Sequence, residues 1–197
     1  MEEYAGIKFK TVFARKDSPQ DPRIEELIRW CRRFTELGLA TGGSGNMSFR
    51  SLNGFIVSRT AGHLGLLKAD EFVEVLKTDP SRNELTVAGA YEPSSESTMH
   101  AAIYEARPEI AAVFHGHHDK ILRRGRRLGL PITEREQPYG TPEIVREILQ
   151  ILGQNNFFLI RSHGFVSLGK SMDEAGRTTE AVLASLLSPL SKTHPSS

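Results

Sequence analysis

The segment Ala111–His118, AAVFHGHH, constrains the fold of this chain more than any other stretch. Its apolar first half is typical of a buried strand. Because side chains two residues apart leave the same face of a strand, His115 and His117 are expected to point together, with Gly116 leaving the opposite face clear. A catalytic zinc site usually takes three protein ligands, and two converging imidazoles would be two of them. The alternative is a chance pair of histidines on a strand.

Two further stretches supply partners for that pair. The apolar run 157–160 leads directly to His163, which is the third candidate ligand and leaves one coordination position open. Upstream, Ser94, Ser95 and Glu96 place a carboxylate beside two hydroxyls, just before a helix-like stretch. Glu96 is a candidate base, since a nearby metal favours its charged form while a dry pocket favours the neutral one. The alternative is a first-turn glutamate that complements the helix dipole.

The same region offers an anion site. Ser94 and Ser95 combine hydroxyls with the backbone N–H groups of a helix N-terminus, where phosphate is favoured. The glycine-rich loop that ends at Asn46 could bring further backbone donors close, and the turn from Thr60 to Gly62 could form the opposite wall. No Gly-Lys-Ser/Thr follows this loop, so it is not a nucleotide-binding P-loop.

Taken in order, these motifs resemble the zinc-dependent class II aldolase/adducin family. The resemblance extends from about Ile24 to about Leu187. Gly43–Arg50 is similar to the Gly-Asn-x-Ser-x-Arg element that opens the family's domain. The other matching residues are Pro93–Glu96, His100, Tyr104, Arg107-Pro108, His115, His117 and Ser162–Gly164.

The resemblance implies an α/β fold, a three-layer sandwich with a central, mainly antiparallel sheet between helices. It implies one Zn²⁺ per subunit, bound by three histidines and, at rest, by Glu96, which swings away when substrate arrives. It also implies a homotetramer with active sites near subunit boundaries. The implied metal ligands are His115, His117, His163 and Glu96, and the implied phosphate-binding residues are Asn46, Thr60, Gly62, Ser94 and Ser95.

The predicted function is retro-aldol cleavage of a small ketose 1-phosphate to dihydroxyacetone phosphate and an aldehyde, with Glu96 moving the proton. Three alternatives stay open: a dehydratase, which in this family keeps the glutamate; an epimerase, which tends to carry aspartate there; and a metal-free, adducin-like interaction module. Family aldolases have a longer connection after the H-x-H pair that delivers an acidic tyrosine. Tyr139 is the nearest tyrosine here, and the roles of His63, His100 and His118 are open.

Composition limits the expected location of the protein and the classes of partner that it can bind. A single cysteine, Cys31, excludes an intramolecular disulfide framework, and no long uncharged apolar stretch or secretory signal is evident, so we expect a cytoplasmic protein that does not bind membranes. The net charge of +1 argues against a general nucleic-acid binder. The basic cluster between Lys120 and Arg127 is expected to be a solvated face or an ion-pair site between subunits.

The chain has 197 residues, enough for one domain. We expect an irregular lead-in over 1–20, a single domain over 21–187 and a flexible tail over 188–197. Asp21-Pro22 and Ser94 or Ser95 are the expected helix starts, with later helices at 142–152 and 172–187. Strands are expected at 47–50, 55–58, 72–76, 84–88, 110–115, 157–161 and 165–167.

Overall fold

A computed structural model describes residues 9–187, and a single sheet runs through them. Its strands are β1 (Lys10–Arg15), β2 (Asn46–Arg50), β3 (Phe55–Ser58), β4 (Phe72–Asp79), β5 (Glu84–Ala88), β6 (Ala112–Gly116), β7 (Phe157–Ile160) and β8 (Gly164–Gly169). The eight strands lie in the order β1-β5-β4-β3-β2-β6-β8-β7. Only the β1–β5 pair is parallel, so the mainly antiparallel sheet predicted from the sequence is confirmed.

Helices cover both faces of this sheet: α1 (Ile24–Glu36), α2 (Ser97–Ala106), α3 (Asp119–Gly125), α4 (Pro142–Leu152) and α5 (Met172–Leu187). One hydrophobic cluster joins α1, α3 and α5 to the sheet, and a second joins α2 and α4 to it. Strand β6 contributes Phe114 to the first cluster and Val113 to the second, as its alternating side chains require. The result is a three-layer sandwich.

The first element differs from expectation. The segment 1–20 was expected to be irregular, but Lys10–Arg15 forms β1, because its backbone pairs in parallel with β5 at the edge of the sheet. That partner lies far along the chain, so local pattern gives little sign of the pairing. Residues 1–8 and the predicted flexible tail, 188–197, lie outside the described part of the chain.

Both early helix starts were also placed too far upstream. Helix α1 begins at Ile24, after a turn in which the Asp21 carboxylate accepts from the Arg23 N–H at 2.9 Å. Helix α2 begins at Ser97, with Glu96 as its N-cap residue. The prediction that Ser94 or Ser95 caps this helix was wrong, because the Ser94 hydroxyl instead accepts from the Glu96 N–H at 3.3 Å.

A membrane-spanning helix needs about 20 predominantly apolar residues. Helix α5, with 16 residues, carries Asp173, Glu174 and Arg177. Across residues 9–187, no helix has the length and apolar composition that such a span requires.

Candidate metal centre

Three elements meet at one end of the sheet and bring the candidate ligands together. Strand β6 carries His115, and His117 follows it, anchored by its N–H to the Leu39 carbonyl at 2.8 Å. His163 lies in the three-residue turn between β7 and β8, where its N–H donates to Ile160 O at 3.1 Å. Glu96 enters from the start of α2.

The four side chains converge on a common point. Each offers one ligand atom, and these atoms all lie within 4.8 Å of one another. His115 Nε2 lies 2.9 Å from His117 Nε2 and 3.2 Å from Glu96 Oε2. The other carboxylate oxygen, Oε1, lies 3.0 Å from His163 Nε2. Two ligand atoms bound tetrahedrally to one Zn²⁺ would be about 3.4 Å apart, so a small outward shift would admit the ion.

A hydrogen bond to the opposite ring nitrogen prepares His115 as a ligand. Its Nδ1 lies 2.8 Å from the Phe165 carbonyl oxygen, which can only accept. Nδ1 therefore carries a hydrogen, and Nε2 faces the centre. Ligating histidines in metalloproteins are fixed in the same manner.

Electrostatics also favour a cation in this position. Burial, together with the nearby His115 and His163, lowers the pKa of His117 to about 3, so its ring is neutral at neutral pH. Burial alone would raise the pKa of Glu96, but the charges and hydrogen bonds of His115 and His163 bring it well below its usual value. Imidazole nitrogens beside an ionised carboxylate are the donor set that Zn²⁺ accepts.

The backbone around the ligands is closely fitted. A Cβ atom on Gly164 would lie 2.5 Å from Gly116 O, 2.8 Å from His115 Cε1 and 3.0 Å from His117 Cδ2, so only glycine fits there. Ser162, just before His163, has a φ of 58°, a left-handed conformation that non-glycine residues seldom adopt. Such conformations tend to cluster at functional sites, where surrounding structure maintains them.

The segments predicted to bind phosphate are neighbours in space. A Cβ atom on Gly43 would lie 3.6 Å from Ala61 O, which places the glycine-rich loop against the turn containing Thr60 and Gly62. The Thr60 N–H donates to Glu92 O at 3.0 Å, and the Ser94 N–H donates to Ser58 O at 3.0 Å. The following Ser95 is 9% exposed. These contacts place the glycine-rich loop, the turn with Thr60 and Gly62, and the segment with Ser94 and Ser95 next to one another, beside Glu96.

Asn46 has a contact that sequence reasoning missed. Its Nδ2 lies 2.8 Å from Glu96 Oε2, and its Oδ1 lies 2.6 Å from His100 Nε2. His100 bonds in turn to Ser48, which also contacts Tyr104. The spacing supplies only part of the signal: Asn46 and Ser48 share one face of a strand, and His100 and Tyr104 share one face of a helix, but no local pattern pairs the two faces.

The remaining candidate residues, whose roles the sequence left open, lie in different surroundings. His118 is the N-cap of α3, where its Nδ1 accepts from the Ile121 N–H at 3.3 Å. His63 precedes a short 3₁₀ turn, and its buried Nδ1 has no hydrogen-bond partner among the described residues. Tyr139 is 7% exposed and stacks on His163, with centroids 6.2 Å apart and planes 15° from parallel. The Tyr139 side chain therefore lies beside the candidate metal centre of the same subunit.

This three-layer α/β fold and its buried cluster of three imidazoles and a carboxylate define a protein with a candidate metal site. Comparison with known proteins gives the family. The chain belongs to the class II aldolase and adducin N-terminal domain family, whose model matches residues 25–186. The family predicted from the motifs is thereby confirmed.

Its curated relatives are enzymes with differing reactions. The chain is 30% identical over 179 residues to a methylthioribulose-1-phosphate dehydratase of Gluconacetobacter diazotrophicus, covering 77% of this chain and 84% of the relative. It is 25% identical to an L-fuculose phosphate aldolase of Haemophilus influenzae, covering 77% and 74%. It is 26% identical to a 3-oxo-tetronate 4-phosphate decarboxylase of the same organism, covering 79% and 81%.

Solved structures support the fold. An L-fuculose 1-phosphate aldolase superposes with a TM-score of 0.73 over 86% of this chain and 85% of that one. The two sequences are 21% identical, so this similarity concerns the architecture alone.

Proposed function

We propose that this protein is a zinc-dependent aldehyde-lyase that cleaves a small ketose 1-phosphate to dihydroxyacetone phosphate and an aldehyde. The observation that carries the proposal is the position of Glu96. Its carboxylate is 6% exposed and contacts Nε2 of both His115 and His163, so a base lies against the candidate metal position. Relatives that act on phosphorylated sugars support this substrate class.

The metal would be bound by His115, His117 and His163, with Glu96 as a further ligand before substrate binds. Three imidazoles, with Nε2 of His115 already aimed at the centre, suit Zn²⁺. A divalent ion there supplies a Lewis acid for the carbonyl and hydroxyl oxygens of the substrate.

The protein's own residues would handle the protons. In cleavage, the C4 hydroxyl would give its proton to the Glu96 carboxylate as the C3–C4 bond breaks and its electron pair moves toward the C2 carbonyl. Glu96 would then deliver that proton to C3, so it ends the cycle ionised as it began. Tyr139 stacks on His163, which puts a phenol at the edge of the centre as a candidate partner for the C4 oxygen.

The phosphate would be bound where the three backbone stretches adjoin. Ser94 and Ser95 precede α2, and Thr60 and Gly62 lie in the turn opposite. Backbone N–H groups and hydroxyls at a helix start favour a dianion. Asn46, which follows the glycine-rich loop and contacts Glu96, completes the proposed phosphate set.

Dehydration is the second candidate, and the 30% identical dehydratase favours it. In that reaction Glu96 would remove the C3 proton, and the C4 hydroxyl would leave as water. Both reactions thus place Glu96 beside C3, as a proton donor in cleavage and as a proton acceptor in dehydration, and they differ in which bond to C4 breaks.

The two reactions differ in their products, so product analysis separates them. Zinc-loaded protein would be incubated with L-fuculose 1-phosphate, 5-deoxyribulose 1-phosphate and 5-methylthioribulose 1-phosphate. Dihydroxyacetone phosphate, measured by enzymatic reduction, is the expected product. A product lighter by one water, seen by mass spectrometry, would establish the dehydratase instead. No turnover together with no stoichiometric metal would support the adducin-like alternative.

A further inference from the structure

We propose that Glu96 is oriented by a one-way chain of hydrogen bonds that runs from Tyr104 through Ser48, His100 and Asn46. In this chain every donor points toward the carboxylate. Its members are positioning residues, because they act on the reaction only through Glu96. The inference rests on the proposed function for the role of Glu96 as the base, whereas the chain itself can be tested without any substrate.

The direction of the first links follows from the side-chain amide of Asn46. Its Nδ2, which can only donate, lies 2.8 Å from Glu96 Oε2. This orientation turns Asn46 Oδ1, an acceptor, toward His100 Nε2 at 2.6 Å. His100 must therefore carry its hydrogen on Nε2.

The neutral state of His100 fixes the remaining links. The ring is fully buried, and its two nitrogens lie against the Asn46 amide oxygen and the Ser48 hydroxyl, with no carboxylate from residues 9–187 beside them to favour a charged ring. A neutral imidazole has one N–H, so Nδ1 accepts from the Ser48 hydroxyl at 2.6 Å. That uses the only hydrogen of Ser48, and its oxygen then accepts from the Tyr104 hydroxyl at 2.8 Å.

The fold buries the residues of this hydrogen-bond chain and fixes them in position. Asn46 and Ser48 extend from the same face of β2, and His100 and Tyr104 share one face of α2. Their exposed fractions lie between 0% and 4%. Phe55 stacks on the His100 ring, with centroids 6.5 Å apart, and the Arg50 guanidinium lies 4.7 Å from the centre of the Tyr104 ring.

The chain fixes the rotation of the Glu96 carboxylate. Oε2 accepts from Asn46 and faces His115, which leaves Oε1 to face His163. Successive hydrogen bonds that point the same way polarise one another in a low-dielectric interior. Asn46 Nδ2 has a second hydrogen, so an additional contact with substrate is compatible with this role.

The tautomer of His100 is the direct test. Metal-free protein labelled with ¹⁵N in histidine would be examined by long-range ¹H–¹⁵N NMR between about pH 6 and 8. We expect His100 to be neutral with hydrogen on Nε2 throughout, and Asn46→Ala, which removes the acceptor for that hydrogen, to produce a mixture of tautomers. Hydrogen on Nδ1 in the wild type, or a charged ring, would overturn the proposal. Tyr104→Phe should leave the tautomer unchanged, because Ser48 still donates.

Kinetics of zinc-loaded variants test whether the chain acts through Glu96. Ser167→Ala is a matched control, since Ser167 is also fully buried but donates to Ala175 O, on the α5 side of the sheet. Loss of an outer hydrogen-bond partner at a metal site typically costs 10–100-fold, so we expect kcat of Ser48→Ala to fall about tenfold with little change in KM. Equal kcat in Ser48→Ala and Ser167→Ala would reduce the chain to a structural feature.

The two proposals fail in different ways. If the proposed function is wrong, the wild type gives no turnover while the His100 tautomer is as expected. If the proposed hydrogen-bond chain is wrong, the His100 tautomer differs while turnover persists.

Discussion

His115 and His163 are stacked within 7° of parallel, with ring centroids 5.1 Å apart, although they come from a strand and from a hairpin turn. The ring of His117 meets both at steep angles, 70° and 66°. A single carboxylate, Glu96, contacts Nε2 of the two stacked rings. This arrangement directs ligand atoms at one point from different directions, and each of its members can be tested separately.

The three histidines are expected to be required for metal binding. His115→Ala, His117→Ala or His163→Ala should each lose stoichiometric zinc, because two remaining imidazoles bind it poorly. Zinc content after dialysis, measured by elemental mass spectrometry, is the readout. His118→Ala is the matched control and should retain zinc, since His118 caps α3 instead. A mutant that keeps one zinc per chain would remove that histidine from the ligand set.

Glu96→Gln should separate metal binding from proton transfer. Glutamine keeps the shape of the side chain but cannot accept a proton, so turnover should fall at least about a hundredfold. Metal content should drop little if the histidines dominate binding. Steady-state kinetics and zinc content on the same preparation check both parts, and near-normal turnover would leave Glu96 as a helix-end residue.

Gly164→Ala should disturb the centre without touching a ligand. The added methyl group would lie within 3.0 Å of Gly116 O, His115 Cε1 and His117 Cδ2, so the two rings must move. Zinc affinity, measured by competition with a chelator, should fall. Gly43→Ala is the control for metal binding, because its Cβ would meet Ala61 O at an ordinary 3.6 Å. Unchanged affinity in Gly164→Ala would mean that the hairpin yields easily.

The buried His100 should make the metal-free protein less stable in acid. The pKa of His100 is about 6.5 in the unfolded chain and about 3 in the folded chain. Between these two pH values the unfolded chain therefore binds a proton at His100 that the folded chain does not bind. The stabilisation is therefore present above pH 6.5 and is lost as pH falls toward 3. His100→Gln should reduce the slope of unfolding free energy against pH by up to about 1.4 kcal/mol per pH unit. Urea unfolding at several pH values measures it, and equal slopes would contradict it.

Assembly also gives a test. The homotetramer and the cytoplasmic location expected from the sequence stay predictions, and light scattering should give a multiple of the 21.9 kDa chain mass. Tyr139 already stacks on His163 of its own chain, so we expect Tyr139→Phe and Glu96→Gln subunits, each impaired, to regain no activity when mixed. Recovered activity would mean that Tyr139 also serves a neighbouring subunit.

Sequence was most informative where the periodicity of one element sets the geometry. The alternation of His115 and His117 on a strand predicts two side chains on one face, and their Nε2 atoms lie 2.9 Å apart. Helices with strong signals, such as α4 with Thr141 as its N-cap and Pro142 at its start, were also placed correctly.

Sequence was least informative where the partner is distant or the element is short. Helix α3 was expected to be loop; of its seven residues only Ile121 and Gly125 are buried, too few to show a helical period. The contact between Asn46 and Glu96 joins β2 to α2 across 50 positions. No local sequence pattern indicates that these two side chains are in contact, although it could be inferred that each of these polar residues is buried.

The connection from His118 to Thr141 has a consequence for how this fold acquires new reactions. His115 is fixed by pairing of β6 with β2 and β8, and His163 by the short β7–β8 hairpin. The first part of the connection supports that hairpin, since Ile132 pairs with Leu159 of β7. The later part delivers Tyr139 to the edge of the centre. Insertions and deletions after Thr133 can therefore change which side chain approaches the substrate while the strand pairs that position the histidines are kept, so the metal ligands and the access to them can evolve at different rates.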